Sequence, residues 1–261
     1  MNGSLAISED LESPDDPVLW GTEERQRSWM ETVRRDTDWM FAWLLICQWL
    51  IGLLVAVFVS PRAWAAMAEP FHYHVKAATL LGGLFTALPV LVIAHRPGAP
   101  LTRHVVAVGQ VLISALLIHL TGGRLEMHFL LFASLALIAL YRDWQVLLSA
   151  TVVAVFDQII RGAFCPQSVF GTAASEPWRW LEHSAWLIAE GAALQILIHW
   201  NLRESLAAAE RETAQEILHQ NAAQQSREQM AALQTKLDHC EQAVVELGNI
   251  FSLSLDIICV A

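Results

Sequence analysis

Charged side chains are scarce in this sequence. They make up 16% of its 261 residues, where a soluble domain carries about 25%. The charge that is present sits at the two ends. Residues 1–38 hold ten acidic and four basic side chains, and residues 201–261 hold nine and four. The 162 residues between them hold only seven and eight. A middle so poor in charge suits lipid better than water, and a formal net charge of −10 argues against nucleic acid as a partner. Cysteine is sparse as well. Cys47, Cys165, Cys240 and Cys259 are far apart and form no CxxC pair, which argues against a disulfide framework or a zinc ribbon. No glycine-rich phosphate loop, nucleophile elbow or kinase catalytic motif is present, so no catalytic residue is assigned and any kinase activity would belong to a further C-terminal part. The first 38 residues contain Asp15-Asp16, Glu23-Glu24 and Arg34-Arg35 without a leading apolar run. They read as a polar cytoplasmic tail and not as a signal peptide.

Six apolar stretches fill the middle: residues 39–60, 77–95, 104–121, 125–141, 144–160 and 180–200. Each is near the ~20 residues that cross a bilayer as a helix. Helices are the expected form, because every backbone group must find its partner within its own segment. Trp39, Trp43, Trp64, Tyr73, Tyr141, Trp144, Trp178, Trp180 and Trp200 lie near their ends, as interfacial aromatics do. With the N-terminus inside, eight basic residues fall on the inner side and five on the outer. That bias predicts a multi-pass protein of the bacterial inner membrane with both termini cytoplasmic.

After Trp200 the pattern changes. Met230, Leu233, Leu237, Cys240, Val244, Leu247 and Phe251 alternate three and four apart, the spacing of an a/d coiled-coil seam. The expected fold is therefore all-α. A polar tail over 1–38 precedes a six-helix membrane domain over 39–200, and a coiled-coil stalk over 201–250 joins two copies in parallel. Residues 251–261 form an apolar, strand-like run.

Ionisable side chains inside a bilayer are costly, and their default reading is functional. By this topology His72, His74, His119, Glu126, His128, Asp157, Arg161, Glu182 and His183 all fall near the outer ends of their spans, with Glu190 two turns deeper. Imidazole and carboxylate together suit Zn, Cu or Fe, and histidine is the usual haem ligand. His119 and His128 are the first choice of metal ligands, because a short turn joins their spans. His183, His72, His74 and Glu126 come next. Asp157 and Arg161, four apart, are expected to pair with each other; with Glu182 and Glu190 they are candidates for a ligand pocket. Three readings stay open: a metal or haem site, a small organic or proton-responsive pocket, and structural polar contacts at the headgroup level.

Several runs are distinctive: His119-Leu-Thr-Gly-Gly-Arg-Leu-Glu-Met-His-Phe129, Leu135-Ala-Leu, Tyr141-Arg-Asp-Trp144, Asp157 with Arg161-Gly162, Ser168-Val-Phe-Gly171, and Trp178-Arg-Trp-Leu-Glu-His183. Together, over about residues 110–190, they resemble a membrane input module found ahead of bacterial sensor histidine kinases and methyl-accepting chemoreceptors. Leu130 and Gln158 stand where members of that family often carry histidine, which removes two donors from a metal site. The run Phe251-Ser-Leu-Ser-Leu-Asp-Ile-Ile-Cys-Val-Ala261 resembles the opening of a PAS domain, cut off. These resemblances imply a sensor that signals through the stalk to a downstream kinase or response regulator. The competing reading is a histidine-rich metal- or haem-dependent membrane enzyme, but the dense HxxxH or HxxHH clusters it needs do not occur. A transporter would need an internal repeat and broken helices. Only Gly82-Gly83 and Pro89 hint at the latter.

Overall fold

The structure, a computed structural model, describes residues 17–64, 71–171 and 178–260. Every regular element among them is helical. The order is α1 (Pro17–Phe58), α2 (Ser60–Ala63), α3 (Phe71–His95), α4 (Pro100–Leu120), α5 (Leu125–Ile138), a 3-10 turn (Ala139–Tyr141), α6 (Trp144–Phe164), α7 (Pro166–Phe170) and α8 (Arg179–Val260). Residues Glu23–Leu206 form one compact unit; the described parts of a second unit are residues 17–22 and 207–260.

Among the described residues, four helical segments are long and apolar enough to cross a membrane: Arg27–Phe58, Tyr73–His95, Pro100–Leu120 and Trp144–Phe164. The other two expected spans differ from these. Residues 125–141 break into a 14-residue helix and a 3-10 turn. At ~1.5 Å per residue, fourteen residues rise roughly 21 Å, short of a ~30 Å hydrocarbon core. Residues 180–200 lie inside α8, where Glu182, His183 and Glu190 dilute the apolar run.

α4 is the centre of the larger unit. It packs against α3, α5, α6 and α7, and 72% of its apolar window is buried, against 28–39% for the other three segments. Its sequence suits that place: Val106, Val111, Ile113, Ile118 and Leu120 are all buried on it, and its polar Arg103, Gln110 and Ser114 meet partners on neighbouring helices. The helices around it keep one apolar stripe inward and turn another outward. Leu80, Leu84, Leu88 and Leu91 of α3 and Leu148, Val152, Phe156 and Ile160 of α6 are exposed. Apolar stripes of this extent are what a lipid-facing surface carries.

The polar groups go inward instead. Gln110 donates from Nε2 to the Ser134 hydroxyl at 2.9 Å, and Ser114 and Ser134 exchange a bond at 3.0 Å, all buried. Hydrogen bonds between helices matter here because lipid offers helices no hydrophobic reason to associate. Close backbone approach supplies the rest. Pro89 lacks the N–H that the Phe85 carbonyl would otherwise accept. A Cβ on Gly109 of α4 would lie 2.9 Å from that carbonyl oxygen and 2.6 Å from Pro89 itself, so only glycine lets the two helices meet there.

A second polar network fastens the opposite end. Asp38, fully buried, accepts from Tyr141 Oη at 2.6 Å and from the Gly98 amide at 2.6 Å. Tyr141 stacks on Phe41, ring centroids 5.5 Å apart. Asp143 caps α6 through the Gln145 amide and pairs with Arg103 of α4. Arg142 adopts a left-handed φ of 51° and lays its guanidinium 4.7 Å over the Trp29 ring. The Tyr-Arg-Asp-Trp run is thus a corner clamp tying α1, the α3–α4 loop and α4 to the start of α6.

α8 runs unbroken from Arg179 to Val260. The seam residues Met230, Leu233, Leu237, Val244 and Leu247 are 57–67% exposed. The backbone over 251–260 is helical, where a strand-like run was expected; the side chains there lie outside the described residues. Residues 1–16 of the polar tail are also outside them. From Pro17 onward the tail is already helix.

Candidate functional site

Polar side chains gather where α3 begins, α4 ends, α5 begins, α6 ends and α8 begins. The Gly122-Gly123 turn makes this possible. Both glycines have positive φ, 69° and 71°. A Cβ on Gly123 would lie 2.4 Å from the Gly171 nitrogen and 2.6 Å from the Val169 carbonyl. The turn after α4 therefore lies backbone to backbone against the end of α7, and that contact brings α7 over the last turn of α4.

Ser168 of α7 is thereby placed beside His119. Its Oγ is 2.8 Å from His119 Nδ1 and accepts from Arg161 Nη1 at 3.3 Å. Arg161 also donates to the Ala115 carbonyl at 3.1 Å and, through Nε, to Asp157 Oδ1 at 2.7 Å, with a second bond from Nη2 to Oδ2. The expected Asp157–Arg161 pair is present, and its guanidinium ties α6 to α4 and α7. On the other side of His119 stand Trp64 and His74. Trp64 donates from Nε1 to the His119 carbonyl at 3.1 Å, and its ring centroid is 5.1 Å from both imidazoles. The two imidazoles stack 5.5 Å apart, and Tyr73 presents an edge contact to each.

His128 belongs to a different pair. Its ring is 5.2 Å from that of His183 at the start of α8, and His183 is 5.1 Å from Phe170. Arg179 covers the other aromatic partner, 5.1 Å over Phe170. His128 and His183 each direct Nδ1 to the carbonyl four residues earlier, of Arg124 at 3.2 Å and Arg179 at 3.1 Å. His128 is 5% exposed and its Nε2 is buried without a partner.

The candidates therefore sort into two neighbourhoods. His74, His119, Asp157 and Arg161 share one; His128 and His183 share another. No ring contact or hydrogen bond joins His119 to His128 among the described residues. Nor does any group of three or more His, Cys, Asp or Glu side chains there lie close enough to hold one metal ion. Glu126 and Glu182 are exposed. Glu126 lies two residues before the buried His128, which places the two about 200° apart on a helix. Glu190 is half-buried with Oε2 lacking a partner. The His72 side chain lies outside the described residues.

Sequence reasoning read Trp64 and Tyr73 only as interfacial aromatics, and left Ser168 as part of a resemblance. The signal for Ser168 was its helix-capping company: Pro166 before it and Gly171 after it enclose a single short helix. Asp38 and Arg103 were counted only as tail and loop charges.

A cavity of about 340 Å³ opens beside the first neighbourhood. Its lining includes Tyr73, His119, Asp157, Arg161, Cys165 and Ser168 at the polar end, with leucine, phenylalanine and alanine side chains of α3 and α4 beyond. The volume falls within the roughly 300–1,000 Å³ typical of small-molecule sites. No family model, curated protein or solved structure matches the chain.

Proposed function

We propose that this chain is the membrane signal-input module of a sensor histidine kinase. In this reading α1, α3, α4, α6, α5 extended by its 3-10 turn to roughly 27 Å and the first part of α8 are six membrane-spanning segments, with both termini cytoplasmic in a bacterial inner membrane. A stimulus acts at the polar end of the bundle, and α8 carries the change through residues 201–250, paired in parallel with a second copy, toward a kinase and its response regulator.

The supporting observation is the continuity of α8. Its second turn carries His183, in ring contact with His128 and Phe170. The same helix, without a break, bears the exposed heptad seam at 230–247. A rigid helix transmits rotation or translation along its axis, and an exposed a/d seam buries its apolar surface only by pairing. The resemblance of residues 110–190 to sensor input modules points the same way.

The test is a fusion of residues 1–261 to a reporter kinase. His128→Ala shifts basal output. Inserting one to four alanines after Ala223 makes output rise and fall with a period near 3.6 residues, since each insertion turns the downstream seam by ~100°. Output indifferent to both the substitution and the insertions would sink the sensor reading.

A further inference from the structure

The cavity beside His119 has a directional lining. Tyr73, Ala77, Leu81 and Phe85, each four residues apart, form one wall along α3. Leu112, Leu116 and His119 form the facing wall along α4, which runs the other way. Both walls are polar at the same end and apolar at the other. From Tyr73 to Phe85 the wall rises roughly 18 Å at ~1.5 Å per residue. The slot is shaped for a molecule with a polar head and an apolar body.

The hydrogen-bond inventory says what kind of head fits. Arg161 has five N–H donors. Nε and one Nη2 hydrogen go to Asp157, and the two Nη1 hydrogens go to the Ala115 carbonyl and Ser168 Oγ. One donor is left, and the guanidinium charge is already balanced by a carboxylate that also lines the cavity. Among the described residues that line the cavity, an anionic head would meet no uncompensated cation and would face Asp157. Ser168 Oγ accepts from Arg161, so its own hydrogen is free to go to His119 Nδ1 at 2.8 Å. In that arrangement the imidazole carries its proton on Nε2, and His119, which lines the cavity, can donate from there. Among the described residues lining this end, the Tyr73 hydroxyl and the Cys165 thiol are the remaining polar groups, and each can donate. The polar end is thus neutral and rich in donors, and it asks for acceptors.

We propose that this cavity binds a lipid-soluble quinone, its two carbonyl oxygens accepting from His119 Nε2 and the Tyr73 hydroxyl and its apolar tail lying between α3 and α4. The head is neutral, flat and acceptor-only, and such a ligand reaches the site from the bilayer. This names the ligand class for the stimulus site and so rests on the sensor reading, but its test reads binding and not output.

The full chain in lipid nanodiscs is titrated with decylubiquinone and, separately, with decanoate, empty discs serving as the partition control. The expected result is saturable binding of one decylubiquinone per chain above the empty-disc background, with decanoate at least tenfold weaker. His119→Leu weakens quinone binding more than tenfold and Tyr73→Phe about threefold. Leu81→Trp, which fills the slot, abolishes it. Glu126→Gln, outside the cavity, changes nothing. Circular dichroism and a monodisperse elution profile qualify each variant as folded. Decanoate binding as tightly as the quinone overturns the proposal, as does the absence of saturable binding or saturable binding that survives both His119→Leu and Leu81→Trp. Quinone binding with no effect on a fused kinase would instead count against the sensor reading and leave the site intact.

Discussion

Ser168 and His119, forty-nine positions apart in the chain, meet at 2.8 Å between Oγ and Nδ1. The same hydroxyl receives Arg161, so one buried serine on a five-residue helix orients both the imidazole and the guanidinium of the candidate site. Ser168→Ala leaves both groups short of a partner. A buried bond of this kind contributes about 1 kcal/mol, and more where a donor is stranded. The expected outcome is a lower melting temperature in detergent and weaker decylubiquinone binding, with Ser168→Thr restoring most of both. Unchanged binding in the alanine variant would show that Ser168 does not set the His119 tautomer.

Asp157 and Arg161 should be strongly coupled. Removing the carboxylate alone strands a partly buried cation and is expected to cost about 3 kcal/mol. Removing both, as in Asp157→Leu with Arg161→Leu, should cost less than either single change. A thermal-unfolding double-mutant cycle decides this. Additive effects would mean that the pair is solvated and contributes little.

Gly123 should tolerate no side chain. A Cβ there would lie 2.4 Å from the Gly171 nitrogen, a backbone atom that cannot swing aside, and its φ of 71° disfavours L residues. Gly123→Ala is expected to destabilise by more than about 2 kcal/mol or to prevent accumulation of folded protein. Gly248→Ala, where nothing lies within 4 Å, is the matched control and should be neutral or slightly stabilising within α8.

Tyr141→Phe removes one of the two bonds to the buried Asp38. The ring still stacks on Phe41, so packing is kept and only the polar satisfaction changes. A loss of about 1–3 kcal/mol is expected. Asp38→Asn keeps one acceptor oxygen, for the Gly98 amide, and puts an N–H donor in place of the other, to which the Tyr141 hydroxyl can turn to accept; it should cost less than Asp38→Ala.

Cys240 occupies a d position of the exposed seam. In a parallel in-register pair the two thiols face each other, so mild oxidation should yield a covalent dimer on non-reducing gels. Cys240→Ser should abolish it. A cysteine introduced at Val245, one residue past the seam position Val244 and exposed, should not crosslink in that background. Crosslinking at 245 and not at 240 would refute the seam.

The sequence alone determined the helical class, because apolar runs near twenty residues and a three-four heptad each encode one periodicity and little else. It also determined the Asp157–Arg161 pair, since residues four apart on a helix face one another by local geometry. It located the turn at Gly122-Gly123 and the breaks at Pro166 and Gly171, because glycine and proline mark positive φ and missing donors without reference to neighbours; the positive φ at Arg142 carries no such mark. Tertiary structure decided how the histidines pair. His119 and His128 are close in sequence, yet each finds its imidazole partner on another helix, His74 on α3 and His183 on α8. Contacts of that kind depend on how each helix is rotated and which face its neighbour offers. Those rotations are set by van der Waals fit, by glycines such as Gly109 and Gly123 that admit a second backbone, and by buried partners such as Asp38 and Tyr141, 103 positions apart. None of these leaves a periodic signal along the chain.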